Sequence, residues 1–272
     1  MTSDPGTQVP DSQALLSRVD TGVPHPARVW NHWLGGKDNY AADREVGDQI
    51  LMVAPELAVI ARAERQFLGR VVRMAVDAGI RQFLDIGTGV PTADNTHEVA
   101  QRAAPESAIV YVDNDPIVLA HARALLRGTK AGTTAYLDAD LRDPETILRD
   151  ARATLAFDRP VCLLLLGILE FVPGLDHAYE IVRTLTGALP SGSLLAIASS
   201  VRSPAMDEAA TLWNGGGGTT ITLRSPKELE GFLEGMEVLE PGVVSLPGWR
   251  PEPGTQYTDR EVSQYGGVAR KP

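Results

Sequence analysis

The sequence predicts an α/β fold in which a mostly parallel β-sheet lies between two layers of helices. Strand-like and helix-like segments alternate regularly between residues 82 and 199. The segment Val161–Leu166 is wholly apolar, which is typical of a strand buried on both faces of a parallel sheet. A length of 272 residues, with 43% hydrophobic and 22% charged residues, fits one large globular domain with a sizeable core.

The alternating part of the chain is predicted to contain five strands and the helices that connect them. The strands are expected at Gln82–Ile86, Ile109–Val112, Thr134–Leu137, Val161–Leu166 and Leu194–Ser199. The connecting helices are expected at Thr96–Ala103, Pro116–Leu126, Pro144–Ala153 and Leu175–Ala188. Because each right-handed crossover must cover one face of the sheet, this order implies parallel strands with helices on both sides.

The residues before the first strand divide into an arm and a helical cap. Residues 1–22 are rich in Pro, Ser, Thr and Asp, and we expect a flexible arm with one short helix at Gln13–Val19. Residues 23–78 are expected to form the cap, because residues 41–78 show helical periodicity interrupted at Ala54-Pro55. Residues 79–272 then form the main domain, and we expect 23–272 to be one structural unit.

The C-terminal part of the chain is less regular. Ser225 is a favourable N-cap, followed by Pro226 and by Glu228 three residues after the cap, which predicts a helix that runs to about Leu233. Two last strands are expected at Val238–Leu246 and Gln264–Ala269, giving seven strands in all. The glycine run at residues 215–218 is expected to be a hinge or a loop tip.

Composition excludes several classes of function. The formal net charge of -10 disfavours nucleic acid as a partner but permits a cationic small molecule. The single cysteine excludes an internal disulfide and a multi-cysteine zinc site, and it fits a reducing cytoplasm. No apolar run is long enough to span a bilayer, and no histidine motif indicates a metal, so we expect neither a membrane nor a metal partner.

Acidic residues follow three consecutive predicted strands. Asp85-Ile86-Gly87-Thr88-Gly89 closes the first, where glycines permit a sharp turn and close approach of a ligand. Thr92 stands where a dinucleotide-binding loop has its third glycine, which weighs against a pyrophosphate ligand. Asp113 closes the second strand, where a carboxylate can accept both ribose hydroxyl protons. Asp138 and Asp140 compete to bind an adenine amino group after the third, so the implied ligand is a nucleoside without phosphates.

These motifs resemble those of the Rossmann-fold (class I) S-adenosylmethionine-dependent methyltransferases. Longer strings, among them FLDIGTGVPTADNTHEVAQ and VYVDNDPIVLAHARALL, are similar to an actinobacterial branch of that class, formerly catalogued as a domain of unknown function. The resemblance covers about residues 20–272. It implies a Rossmann-like three-layer αβα sandwich with an antiparallel last strand, and S-adenosylmethionine as the cofactor. Pro91 departs from the class, which frequently has a third glycine there.

The resemblance also implies a role for individual residues. Asp85 and the Gly87-Thr88-Gly89 turn would contact the amino-acid end of the cofactor, and Asp113 would bind the ribose. Gly167 would lie at the methyl-transfer site. The adenine would be flanked by Asn114 and framed by Asp140 and Leu141, and the Trp30–Tyr40 segment would cap the cofactor, with Tyr40 among its polar candidates.

The reaction implied is in-line transfer of a methyl group to a small-molecule acceptor. A general base is needed only if the acceptor must lose a proton, and the weak candidates for it are Glu170 and, in the cap, His32 or His25. Two alternatives remain open: an enzyme that consumes S-adenosylmethionine by cyclase or lyase chemistry, and a non-catalytic regulatory protein that binds it. We expect a monomer or a homodimer.

Overall fold

The computed structural model describes residues 17, 19–125, 129–216, 218–254, 256–258 and 260–272. The helix predicted at Gln13–Val19 falls on residues outside this description. Within the described chain, one sheet holds all the named strands: β1 (Gln82–Ile86), β2 (Ala108–Asp113), β3 (Thr133–Asp138), β4 (Cys162–Leu166), β5 (Leu194–Ser200), β6 (Glu237–Val238), β7 (Val244–Ser245) and β8 (Gln264–Arg270).

The strand order is β3-β2-β1-β4-β5-β8-β6, with β7 also pairing with β8. The first five strands are mutually parallel, whereas β8 runs antiparallel to β5. The order reverses direction between β1 and β4, so the connections before and after this point lie on opposite sides. A crevice therefore opens at the carboxyl ends of the strands, where open α/β sheets bind ligands.

Helices cover both faces of the sheet and extend beyond it. Their bounds are α1 (Pro26–Trp33), α2 (Ala41–Val53), α3 (Leu57–Asp77), α4 (Thr96–Ala103), α5 (Pro116–Leu125), α6 (Pro144–Ala151), α7 (Leu175–Gly187), α8 (Pro204–Gly215) and α9 (Pro226–Glu230). Within the described part of the chain, no helix is both long and apolar enough to span a bilayer.

The apolar strand β4 is buried on both faces, as predicted. Leu163 and Leu165 belong to one hydrophobic cluster, which includes residues of α6 and α7. Cys162 and Leu164 belong to a second cluster on the opposite face, which includes residues of α3 and α4. This alternation follows from the two-residue repeat of a strand, and two apolar layers explain why the sequence shows no polar position here.

Helix α3 joins the helical cap to the sheet. Its first turns place Leu57 and Ile60 in a third cluster with residues of α1, α2 and α8. Its later turns place Phe67 and Val71 in the cluster against the sheet. The residues between these two parts of α3 therefore lie where the cap meets the carboxyl ends of the strands.

Two C-terminal expectations differ from the structure. The single strand predicted at Val238–Leu246 is wrong, because the chain turns at Pro241-Gly242, where Gly242 has φ +89°, and leaves β6 and β7 as two short strands. Helix α8 was not predicted, although Ser203 caps it by accepting from the Met206 N–H at 3.3 Å. The glycine run at residues 215–218 begins with Gly215, the last residue of α8, and Gly217 lies outside the described residues.

Candidate functional site

A cavity of about 170 Å³ lies at the carboxyl ends of β1, β2, β3 and β4. Helices α1, α3 and α8 complete its walls. Predicted site residues from four separate loops meet on this wall, because the carboxyl ends of parallel strands lie at one edge of a sheet. Those that line the cavity are Gly87, Thr88, Gly89, Asp113, Asn114, Asp140, Leu141, Gly167 and Glu170.

The turn after β1 requires glycine for two physical reasons. Gly87 has φ +76° and Gly89 has φ +66°, a conformation that other residues rarely adopt. A Cβ atom at Gly87 would also lie 2.6 Å from Cγ1 of Ile168, well inside van der Waals contact. At Gly89 a Cβ would meet no atom within 4 Å, so this glycine faces open space.

Asp85 lies behind this turn and outside the cavity lining. Its carboxylate is buried and accepts a hydrogen bond from Thr96 Oγ1 at 2.6 Å, which ties the end of β1 to the first residue of α4. Burial raises the pKa of Asp85 to about 6, against the opposing effect of the Thr96 hydrogen bond. The structure thus gives Asp85 a supporting position beneath the glycine turn.

Asp113 joins two loops at the cavity wall. Its Oδ2 accepts from the Gly89 N–H at 2.8 Å, and its Oδ1 accepts from the Asp115 N–H at 3.0 Å. Burial raises the pKa of this carboxyl, while the two backbone hydrogen bonds lower it. Both bonds fix the carboxylate against the backbone, so its position on the wall is set before any ligand binds.

Of the two acids after β3, Asp140 lines the cavity and Asp138 does not. Arg142 holds the Asp140 carboxylate with its Nε at 2.9 Å and its Nη2 at 2.5 Å. Asn114 Nδ2 donates to the same carboxylate at 3.2 Å. Hydrogen bonding by Arg142 lowers the pKa of Asp140, so this acid is an ionised acceptor that already has a cationic partner.

Gly167, directly after β4, faces a residue that sequence reasoning missed. A Cβ atom at this position, where φ is +63°, would lie 2.9 Å from Oε2 of Glu64. Glu64 comes from the middle of α3, lines the cavity and accepts from Gln264 Nε2 at 2.7 Å. Burial, and then the charge of Glu170, raise its pKa to about 8. The available signal was an acid at helical spacing between the apolar residues Ile60 and Phe67.

Glu170 lies beside Glu64 in a short 3-10 turn, Leu169–Phe171. It is buried and accepts from Ser199 Oγ at 2.9 Å. Burial raises the pKa of Glu170, whereas the nearby guanidinium of Arg224 opposes that shift. Arg224 fixes the turn by donating to the carbonyls of Leu169 and Val172, each at 2.7 Å.

Of the polar residues proposed from the cap, His32 and Tyr40 lie outside the cavity lining, whereas His25 lines it. His32 Nε2 is 2.8 Å from Oδ1 of Asp48, an exposed residue on α2. Tyr40 is the N-cap of α2, and its ring lies 5.5 Å from the Arg28 guanidinium carbon. Helix α1 instead lines the cavity with neighbouring residues, among them Trp30, Asn31 and Trp33.

Arg65 is the second residue of α3 on the cavity wall that the sequence did not reveal. Its Nη2 donates to the carbonyls of Ala93 at 3.2 Å and Asp94 at 2.8 Å, in the loop that follows the glycine turn. Its Nε is buried and has no hydrogen-bond partner among the described residues. The site therefore holds a cationic donor whose hydrogen-bonding capacity is incompletely used.

The fold and the site together define a class of protein. A parallel sheet with one antiparallel strand inserted beside β5, and acidic residues at the carboxyl ends of β1, β2 and β3, is the arrangement of the Rossmann-like methyltransferases. The magnesium protoporphyrin IX methyltransferase of Synechocystis PCC 6803, solved with bound S-adenosylhomocysteine, shares this fold at TM-score 0.51 and 12% identity. The superposition covers 90% of this chain and 93% of that chain.

The chain belongs to the S-adenosyl methyltransferase family, whose sequence profile matches residues 12–272. A DUF574-family protein from Streptomyces avermitilis is 45% identical, with TM-score 0.90 over 94% of this chain and 100% of that one. A proposed methyltransferase from Thermobifida fusca is 38% identical, with TM-score 0.86 over 93% and 96%. No curated protein matches the chain. Family membership assigns S-adenosylmethionine as the cofactor.

Proposed function

We propose that the protein transfers the methyl group of S-adenosylmethionine to a small-molecule acceptor in the cytoplasm. One observation carries the proposal: a single cavity joins the Asp113 and Asp140 edge of the sheet to Gly167. A nucleoside at the first end leaves the second end for the acceptor. The cavity, of about 170 Å³ and walled by α1, α3 and α8, suits a small molecule better than a polymer.

The residues at the first end fit the cofactor. The glycine turn is a cradle that a Cβ at Gly87 would fill, and Asp113 offers a fixed carboxylate to ribose hydroxyl groups. Asn114, Asp140 and Leu141 stand at the tip of the adjacent strands, where adenine would lie. We assign the amino-acid carboxylate to Arg65, because its buried Nε lacks a partner and a charge-assisted bond there would satisfy it.

The chemistry that the bound cofactor supplies is an electrophilic methyl group on a sulfonium. The protein's tasks are to hold the acceptor at near-attack distance and to exclude water, which together account for several kcal/mol of the barrier. Gly167 lets the backbone approach the reacting groups closely, since no side chain projects from it. The cap helices close the cavity above this point, and we propose that residues 23–272 act as one unit for this reason.

Calorimetric titration with S-adenosylhomocysteine tests the cofactor site. We expect binding in the micromolar range, weakened at least tenfold in Asp113→Ala, which corresponds to about 1.4 kcal/mol. Asp138→Ala is the matched control, because it removes an acid from the neighbouring strand end outside the cavity lining. Equal affinity in wild type and Asp113→Ala would contradict the site assignment.

A second measurement separates methyl transfer from other uses of the cofactor. Incubation of the protein with S-adenosylmethionine alone should leave the cofactor intact, because the proposed reaction needs an acceptor. Rapid consumption without an acceptor would favour cyclase or lyase chemistry. Binding without transfer of labelled methyl to any component of a small-molecule extract would favour a regulatory protein.

A further inference from the structure

The acceptor end of the cavity combines acidic and aromatic side chains. Two carboxylic acids, Glu64 and Glu170, line it beside Gly167. The same cavity is also lined by the aromatic residues Trp30, Trp33, Phe171 and Trp213. Aromatic faces and carboxylates share one preference, because both stabilise a positive charge.

Glu64 and Glu170 form a coupled pair. Both are buried, with 7% and 4% of their surfaces exposed, and the charge of Glu170 raises the pKa of Glu64. The charged groups that act on Glu64 are Glu170, Arg65 and Asp85, while Arg224 acts on Glu170 from behind the turn. Because two buried carboxyls near each other resist double ionisation, an ionised Glu170 makes Glu64 hold a proton more tightly.

The side chain of Gln264 can hydrogen-bond to Glu64 in either of its protonation states. This side chain is fully buried, and its Nε2 donates to Glu64 Oε2 at 2.7 Å. Its Oε1 has no hydrogen-bond partner in the described part of the chain. The amide thus offers a donor to the ionised form of Glu64 and, after rotation, an acceptor to the protonated form.

Two of these aromatic residues are held in place by hydrogen bonds from their indole N–H groups. Trp33 Nε1 donates to the Gly47 carbonyl at 3.2 Å, and Trp213 Nε1 donates to the Thr219 carbonyl at 2.6 Å. The Trp30 and Trp33 ring centroids lie 5.6 Å apart at an interplanar angle of 59°. Because their indole N–H groups are engaged in these hydrogen bonds, Trp33 and Trp213 present apolar ring surface to the cavity that they line.

We propose that the acceptor is a small-molecule amine, which binds as its ammonium between the aromatic residues and the Glu64–Glu170 pair and loses its proton to Glu64. This inference rests on the proposed function and names the substrate class for the same site. An anionic acceptor would be repelled by the pair, and an alcohol would gain hydrogen bonds without the charge interaction.

The step balances as follows. The ammonium gives one proton to the Glu64 carboxylate and leaves a neutral amine with a free electron pair. That pair forms the new nitrogen–carbon bond while the carbon–sulfur bond breaks and its electrons stay on sulfur. The products are an N-methylammonium ion and the neutral thioether S-adenosylhomocysteine, and Glu64 returns its proton to solvent when they leave.

Matched probes test the charge preference in protein saturated with S-adenosylhomocysteine. The pairs are phenethylamine with 2-phenylethanol, tryptamine with tryptophol, and cyclohexylamine with cyclohexanol, with 3-phenylpropionate as an anion. At pH 7.5 we expect at least one amine to bind tenfold or more tighter than its alcohol, and the anion to bind weakest. Equal or reversed affinities in every pair would overturn the proposal without any variant.

Variants then assign the preference to the two acids. Glu64→Gln with Glu170→Gln keeps an acceptor oxygen for Gln264 and for Ser199, and it should reduce the amine preference to less than threefold. Glu208→Gln, the same change at an exposed position on α8, should leave the preference intact. Full preference in the double variant would overturn the proposal.

The two proposals fail in different ways. Loss of S-adenosylhomocysteine binding in the wild-type protein would refute the proposed function. Normal binding of S-adenosylhomocysteine without any amine preference would refute the acceptor class alone. For an amine that accepts labelled methyl, Glu64→Gln should lower the transfer rate about a hundredfold, as expected for loss of a general base, with cofactor affinity within threefold of wild type.

Discussion

Replacing Glu64 by Gln should change how the stability of the protein depends on pH. Burial and the neighbouring Glu170 raise the pKa of Glu64 from its ordinary 4.5 to about 8. The folded protein therefore binds this proton more tightly than the unfolded chain. The stability that Glu64 contributes is fully present below pH 4.5 and is lost as pH rises to about 8.

The size of the effect follows from the same shift. The difference between about 8 and 4.5 is 3.5 pKa units, which at 1.36 kcal/mol per unit corresponds to about 5 kcal/mol. Glutamine has no titrating proton and retains an acceptor oxygen for the 2.7 Å hydrogen bond from Gln264. The variant should thus gain stability relative to wild type as pH rises, by a few kcal/mol in total.

Urea denaturation at pH 5, 6.5 and 8 measures this difference in unfolding free energy. The unfolding free energy of Glu64→Gln minus that of wild type should increase at each step to higher pH. The unfolding free energy of Glu208→Gln should follow that of wild type throughout. Parallel stability curves for Glu64→Gln and wild type across this range would refute the reasoning, because they would mean that Glu64 titrates alike in the folded and unfolded states.

Three further predictions follow from single contacts. Gly87→Ala should destabilise the protein by about 1–3 kcal/mol and abolish S-adenosylhomocysteine binding. The reason is that the new Cβ would lie 2.6 Å from Ile168, at a residue whose φ is +76°. Thermal denaturation measures the loss of stability, and calorimetry measures the loss of binding. Arg65→Met should weaken S-adenosylhomocysteine about tenfold but leave 5′-methylthioadenosine, which lacks the amino-acid end, unchanged. Arg224→Met should cost about 3 kcal/mol in urea denaturation, since the carbonyls of Leu169 and Val172 lose buried donors.

Each of these predictions has a clear contrary result. Normal binding in Gly87→Ala would show that the turn tolerates a side chain, and Gly187→Ala, where a Cβ meets no atom within 4 Å, is the control. An equal loss of both nucleosides in Arg65→Met would mean that Arg65 supports the loop and not the carboxylate. Unchanged stability in Arg224→Met would mean that the 3-10 turn is stable without the two hydrogen bonds from Arg224.

The parallel part of the fold was predictable because its signals are local. Strands β1, β2, β4 and β5 are short, largely apolar runs, each followed by a turn and a helix, so pattern and topology agree. The short strands β6 and β7 have only two residues each, which is too few to show a period. Helix α8 carries a Ser203-Pro204 start signal, but the glycine run in which it ends is typical of a loop.

The sequence predicted mainly those residues of the candidate site that lie at the ends of strands. Asp113 is the last residue of β2 and Asp140 lies two residues after β3, so the sequence locates them without knowledge of the cap. Glu64 comes from a helix about 100 residues before Gly167, and only tertiary packing brings the two together. The same limit explains the placement of His32, since the packing of α1, and not its composition, decides which of its side chains line the cavity.

A crystal structure of the protein with S-adenosylhomocysteine tests the central claim most directly. We expect the ribose on Asp113, the adenine beside Asp140 and Leu141, and the thioether sulfur facing Gly167 and Glu64. A ligand bound outside this cavity, or one whose sulfur faces away from Gly167, would contradict it.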